Sequence, residues 1–158
     1  MKFSDEDVEI RLMTAADLAQ VAAIAENLPD APHWPQSAYA KALNPDSTPR
    51  RIALVATLTQ PDSLRGFTVA SLLPPQAELE TIAVAATSQR CGLGRSLFSR
   101  LARELRKAGA REIFLEVRAS NQAAQAFYRS LGFIQTGLRP RYYTDSIDDA
   151  VLMSLRLG

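Results

Sequence analysis

Thr81-Ile82-Ala83-Val84-Ala85-Ala86-Thr87-Ser88-Gln89-Arg90-Cys91-Gly92-Leu93-Gly94-Arg95 is the stretch that decides how this chain folds. The apolar run Thr81 to Val84 reads as a strand. Gln89 to Arg95 is a basic loop with two glycines, and a strongly amphipathic helix opens from it. Strand, glycine loop and helix N-terminus in that order make a place for phosphates, because free backbone N–H groups and the positive end of the helix dipole meet there. A side chain at Gly92 or Gly94 is expected to block close approach of the backbone to such a ligand.

Working outward, the helix carries Leu93, Leu97, Phe98, Leu101, Ala102 and Leu105 on one face. Arg100, Arg103, Arg106 and Lys107 lie mostly opposite or near its C-terminus, and Gly109 ends it. Arg111 to Arg118 alternates as a strand, with Ile113, Leu115 and Val117 on one face and Phe114, Glu116 and Arg118 on the other. Ser120 or Asn121 caps a second helix that runs to Leu131, and Gly132 closes it. Phe133 to Tyr143 and Ala150 to Leu157 read as two more strands. Upstream, Arg51–Leu58, Leu64–Leu73 and Ala77–Val84 are strand-like segments separated by short turns, which suggests an antiparallel meander. Before them come a strand at Val8–Met13 and a helix after Thr14 with its stripe at Leu18, Val21, Ala22, Ala25 and Leu28. A proline-rich loop, Pro29 to Pro35, and a short helix at Gln36–Leu43 follow. The order β-α-α-β-β-β-α-β-α-β-β predicts one mixed α/β domain over residues 1–158.

Composition narrows the function classes. Apolar residues make up 47% and charged residues 22% of 158, a globular balance. The formal net charge of +1 gives no general attraction to nucleic acid or to an anionic membrane. Cys91 is the one cysteine, so no internal disulfide forms and a reducing, cytoplasmic compartment is expected. The polar N-terminus does not read as a signal peptide, and no apolar run reaches membrane-spanning length. His33 is the one histidine, which leaves too few ligands for a metal site or a Ser-His-Asp triad.

Two familiar phosphate sites fail. A dinucleotide fingerprint needs a third glycine where Leu97 stands, and its helix follows the first strand of a parallel unit, not a meander. A P-loop needs a lysine where Arg95 stands and a glycine where Gln89 stands. Gly92 and Gly94 shaping a tight turn, with no ligand, is the remaining plain alternative.

Gln89-Arg90-Cys91-Gly92-Leu93-Gly94 matches the Gln/Arg-x-x-Gly-x-Gly/Ala signature of the GNAT acyltransferase superfamily, and the element order resembles that fold from end to end. The resemblance implies a central, mostly antiparallel twisted sheet with splayed strands, flanked by helices. It further implies that Arg90, Cys91, Gly92, Leu93, Gly94 and Arg95 hold the pyrophosphate of acetyl-CoA. Backbone groups of Ile82, Ala83 and Val84 would bind its acetyl and pantetheine portion. Leu115-Glu116-Val117-Arg118-Ala119-Ser120-Asn121, Phe127-Tyr128-Arg129-Ser130-Leu131-Gly132-Phe133 and Arg139-Pro140-Arg141-Tyr142-Tyr143 narrow the likeness to the RimI family. Those enzymes acetylate the N-terminal amine of a small-subunit ribosomal protein. The match is strong from Leu79 onward and weaker before it. Val84-Ala85-Ala86 stands where the family has Val-Asp-Pro.

Acetyl transfer from a thioester to an amine needs a deprotonated amine, a stabilised oxyanion and a proton for the leaving thiolate. A protein α-amine ionises near pH 8, within reach of a carboxylate acting through water. Glu116, mid-strand on the face away from Leu115 and Val117, is the expected base. An ordinary solvated charge, or an ion pair with Arg118, is the plain alternative. By the resemblance Tyr128 is the acid and Asn121 bonds the cofactor. Tyr128 as a packed aromatic beside a buried Phe127, and Asn121 as a helix cap, remain open. Tyr142 and Tyr143 resemble residues that line an acceptor groove, and β propensity explains either equally well. Cys91 is read as a spectator. The expected activity is thus N-terminal α-amine acetylation of a ribosomal protein, with a lysine side chain or small amine as the alternative acceptor. A silent CoA-binding module is the non-enzymatic alternative. No metal, nucleic acid or membrane partner is expected, and the chain is expected to be a monomer or weak homodimer.

Overall fold

The computed structural model describes residues 8–28, 34–59, 62–89, 91–143 and 148–158. Seven strands form a single sheet: β1 (Val8–Leu12), β2 (Arg50–Thr59), β3 (Asp62–Leu73), β4 (Gln76–Val84), β5 (Glu112–Arg118), β6 (Ile134–Tyr143) and β7 (Asp148–Arg156). Their spatial order is β1-β2-β3-β4-β5-β7-β6. Four helices cover the two faces: α1 (Leu18–Glu26), α2 (Gln36–Ala42), α3 (Leu93–Lys107) and α4 (Gln122–Ser130). A single 3-10 turn, Ala15–Asp17, leads into α1. There the Thr14 N–H donates to the Asp17 carboxylate at 2.8 Å, and Arg11 clasps both of its oxygens at 2.7 and 2.9 Å. The Arg11 guanidinium holds the Asp17 carboxyl below its usual range.

Two cores lie on opposite faces of the sheet. Leu97, Leu101 and Leu105 of α3 pack with Leu54, Ile113, Leu115 and Met153 on one side. Val21, Ala25, Tyr39 and Ala42 of α1 and α2 pack with Val55, Phe67, Val69 and Ala83 on the other. The α3 stripe is therefore the largest apolar face and anchors the sheet through burial.

All strand contacts are antiparallel except β4 against β5, which is parallel. That pair touches only over Gln76–Glu78 against Glu112–Phe114. Beyond it the strands separate, while β4 continues against β3 as far as Val84 and β5 against β7 as far as Arg118. The sheet is thus open along one seam.

A β-bulge sits beside that opening. Val69 faces Thr81 and Ala70 faces Leu79, so Glu80 is an extra residue on β4. It shifts the strand's phase. Ala77 and Leu79 before it, and Ile82 and Val84 after it, all pack toward α3, while Ala83 packs toward α1 and α2.

One expectation needs adjusting and one alternative is settled. Leu28 lies past the end of α1, which stops at Glu26. Asn121, not Ser120, caps α4: its Oδ1 accepts the Ala124 N–H at 3.1 Å, and Ser120 instead bonds the Asp148 carboxylate. His33 and Arg90 lie outside the described residues. Among the described residues no helix is long and apolar enough to cross a membrane.

Candidate active site

The opening between β4 and β5 has two sides with different chemistry. On the α3 side, β4 runs through Ile82, Ala83 and Val84 with no strand partner on its β5 edge. A 3-10 turn, Ala86–Ser88, follows, and Gln89 folds back so that its Nε2 donates to the Val84 carbonyl at 3.0 Å. Gly92 caps α3 at φ 82°, a left-handed conformation that side chains resist. The first helical bond is from the Ser96 N–H to the Gly92 carbonyl at 3.1 Å. Helix geometry therefore leaves the N–H groups of Leu93, Gly94 and Arg95 without an acceptor inside α3, at its positive end.

Gly94 also has a packing task. A Cβ there would lie 3.2 Å from Phe127 Cζ and 3.7 Å from Val84 Cγ2. Its missing side chain lets α3 start against α4 and β4. The Arg95 guanidinium is also committed elsewhere, donating to the Ser130 hydroxyl at 3.0 Å, so only its backbone N–H is presented to the loop. Cys91 is half-buried, with its thiol 3.5 Å from the Gln89 carbonyl.

On the other side stands Glu116. Glu78 and Phe114 are the last pair joining β4 and β5, so Glu116 is the next residue of β5 on that face. Its carboxylate lies 3.5 Å from the Arg139 guanidinium of β6, and the side chain is 20% exposed. The Arg118 guanidinium, the partner suggested by the sequence, lies over the Tyr143 ring, 4.1 Å from its centroid. Glu78 and Glu80 of β4 share the face. Burial, with Glu80 and Glu116 nearby, raises the Glu78 carboxyl above its usual range. Arg51 of β2 holds Glu80 at 3.0 Å. Trp34, Ala38, Lys41, Arg51 and Glu80 surround an open cleft of about 230 Å³ beside this cluster.

Tyr128 of α4 is half-buried against Phe133, ring centroids 5.9 Å apart. Phe127, expected to be buried, is itself only partly covered, with its ring edge against the Gly94 turn. Burial, with Tyr143 nearby, pushes the Tyr128 phenol up to about 12. Burial and the Glu116 charge raise Tyr143 too, so Tyr143 sits within electrostatic reach of both Glu116 and Tyr128. Gln125 fastens α4 to the end of β5, donating to the carbonyls of Arg118 at 3.1 Å and Ala119 at 2.9 Å.

The sequence reading gave no role to Glu78, Glu80, Arg51, Arg139 or Gln125. The repeated glutamate of Glu78-Leu79-Glu80, two charges in an otherwise apolar strand, was the available signal. As a set these groups offer backbone amides for an anion, a carboxylate to take a proton and a protonated phenol to give one. Among the described residues no three His, Cys, Asp or Glu side chains are grouped to hold a metal.

The model of the acetyltransferase (GNAT) family matches residues 18–133. This chain belongs to that family. The GNAT chain is 44% identical over 103 residues to the ribosomal protein bS18-alanine N-acetyltransferase of Escherichia coli K12, covering 64% of this chain and 70% of the relative. The crystal structure of the Escherichia coli enzyme superposes with a TM-score of 0.81 at 33% identity, covering 96% of this chain and 94% of that one. The N-alpha-acetyltransferase RimI of Mycobacterium tuberculosis is 38% identical over 159 residues, 97% of this chain and 95% of the relative. The fold is also that of yncA from Salmonella typhimurium, solved with its cofactor acetyl-CoA, with a TM-score of 0.80 at 21% identity over 96% of this chain and 95% of that one. The GNAT chain is accordingly an N-acetyltransferase with a seven-stranded mixed sheet between helices.

Proposed function

We propose that this GNAT enzyme transfers an acetyl group from acetyl-CoA to the α-amine of a protein N-terminus, an alanine of a small-subunit ribosomal protein. One observation carries the reading: Glu116 stands at the first step past the last β4–β5 pair, on the face away from α3. A donor thioester laid along the open β4 edge and an amine arriving from the opposite face would meet there.

The chain's own groups fit that donor. The N–H groups of Leu93, Gly94 and Arg95 suit a pyrophosphate, and the unpaired edge of Ile82, Ala83 and Val84 suits an extended amide-bearing arm. Bound acetyl-CoA supplies an activated acyl group and a thiolate leaving group. Glu116 takes the proton from the amine, directly or through one water. Tyr128, whose phenol keeps its proton well past neutral pH, returns one to the departing sulfur. Asn121 already serves α4 as its cap, and its amide nitrogen is the group offered to the cofactor. The cleft beside Trp34 and Arg51 gives a polypeptide room to continue beyond its first residue. The named activities of the Escherichia coli and Mycobacterium relatives support the α-amine as acceptor.

Turnover of acetyl-CoA with a peptide copying the ribosomal N-terminus tests this directly. Acetylation at the α-amine, lost in Glu116→Gln, is the expected result. Faster transfer to a lysine side chain or a small amine than to the peptide overturns the acceptor assignment.

A further inference from the structure

Arg139 occupies a position that the transfer reaction itself has a use for. It is the last residue of β6 in register before a bulge, opposite Ala150, while Glu116 is opposite Leu152 on the other edge of β7. Gly137 faces Leu152 from β6 and has no side chain. The Arg139 side chain therefore reaches diagonally across β7 to Glu116. The bulge is held by Arg141 at φ 52°, whose N–H donates to the Asp149 carboxylate at 2.8 Å. This turn places Tyr142 beside Arg139, with the guanidinium carbon 5.3 Å from the ring centroid.

The contact with Glu116 is loose. At 3.5 Å it is longer than a charge-assisted hydrogen bond of about 2.8 Å, and Arg139 is 54% exposed. Glu116 otherwise faces Glu78 of β4, Tyr143 of β6 and Arg118 of its own strand, and Glu78 in turn neighbours Glu80, which engages Arg51 of β2. An α-amine reaches the site mostly as an ammonium ion, since it ionises near pH 8. Three carboxylates would hold that ion in its charged, unreactive form. A guanidinium on the same carboxylate opposes it, because a like charge disfavours the protonated amine.

We propose that Arg139 is a positioning residue that occupies Glu116 before the acceptor arrives and, by its charge, keeps the arriving amine from settling there as an ammonium ion. This rests on the α-amine reading above. Arg139 thereby trades some affinity for the acceptor against a larger share of neutral nucleophile. Its departure from Glu116 can be partial, since the Tyr142 ring gives the cation a second place to rest.

Steady-state kinetics of Arg139→Gln and Arg139→Lys with an alanine-starting peptide test the proposal. In Arg139→Gln, KM for the peptide falls about two- to five-fold, the size of an exposed ion pair, and kcat falls by a larger factor. Raising the pH, which discharges the amine without help, returns part of the lost kcat. Arg139→Lys keeps both constants near the wild-type values. A role in folding alone gives the opposite pattern, with unchanged or higher KM, a lower melting temperature and no rescue by lysine. That outcome overturns the proposal. Calorimetric binding of the same peptide in the presence of CoA gives an independent answer. Tighter binding by Arg139→Gln supports the inference even if the wild type acetylates a different amine, in which case only the acceptor assignment fails. Equal or weaker binding, or none by either protein, overturns it.

Discussion

The two sides of the β4–β5 opening are built from different materials. The α3 side is made of backbone: an unpaired strand edge, a left-handed Gly92 and three helix N–H groups, all within residues 82–95. The opposite side is made of side chains, Glu78 and Glu80 from β4, Glu116 from β5, and Arg139 and Tyr143 from β6, brought together by sheet order. Backbone recognition is indifferent to most substitutions and sensitive to shape. Side-chain chemistry is the reverse. A family can therefore keep one donor and change acceptors by altering charges on a single face.

That contrast breaks most sharply at Glu116. Glu116→Gln is expected to lower kcat/KM for the peptide by about 10²–10⁴ while leaving CoA affinity within twofold, read by steady-state rates and calorimetry. Tyr128→Phe should cost about 10² in kcat with little change in either KM. The acid form of this phenol is the useful one, and a value near 12 keeps it loaded. The wild-type rate should consequently show no descending limb from Tyr128 between pH 7 and 10. On the backbone side, Gly94→Val pushes into Phe127, so CoA affinity should drop about tenfold and the melting temperature should fall with it.

The smallest effect on catalysis belongs to a residue outside both sides. Asp17→Asn should leave the kinetic constants unchanged and cost about 1–2 kcal/mol of stability at neutral pH, measured by urea denaturation. The folded carboxyl ionises below its ordinary range, so its contribution is complete above about pH 4 and disappears as pH falls through the folded value. The difference between variant and wild type should therefore shrink in acid.

The same contrast separates what a linear sequence displays from what only the fold brings together. Helix α3, its opening loop and the meander β2-β3-β4 rest on local periodicity and turn chemistry, which a linear sequence displays. The pairing of Glu116 with Arg139 spans 23 positions and depends on β7 lying between β5 and β6, which no spacing reveals. Arg118, two residues from Glu116, was the partner suggested by proximity, and its guanidinium lies over the Tyr143 ring. Gly94 was legible as a glycine needed at a close approach, but the approaching group is the Phe127 ring as well as any ligand. The bulge at Glu80 left no trace, because Ala77 to Val84 reads as an unbroken strand either way.

That extra residue has a consequence for how the chain tolerates change. Leu79 and Thr81, on either side of Glu80, already oppose consecutive residues of β3, Ala70 and Val69. Deleting Glu80 would close those two pairs into a regular ladder, with Ile82 and Val84 still turned toward α3. What β4 would lose is the bend and added twist that a bulge gives its strand. The extra residue curves β4 just past its last pair with β5, so the donor edge is a matter of curvature and not of which face its side chains take.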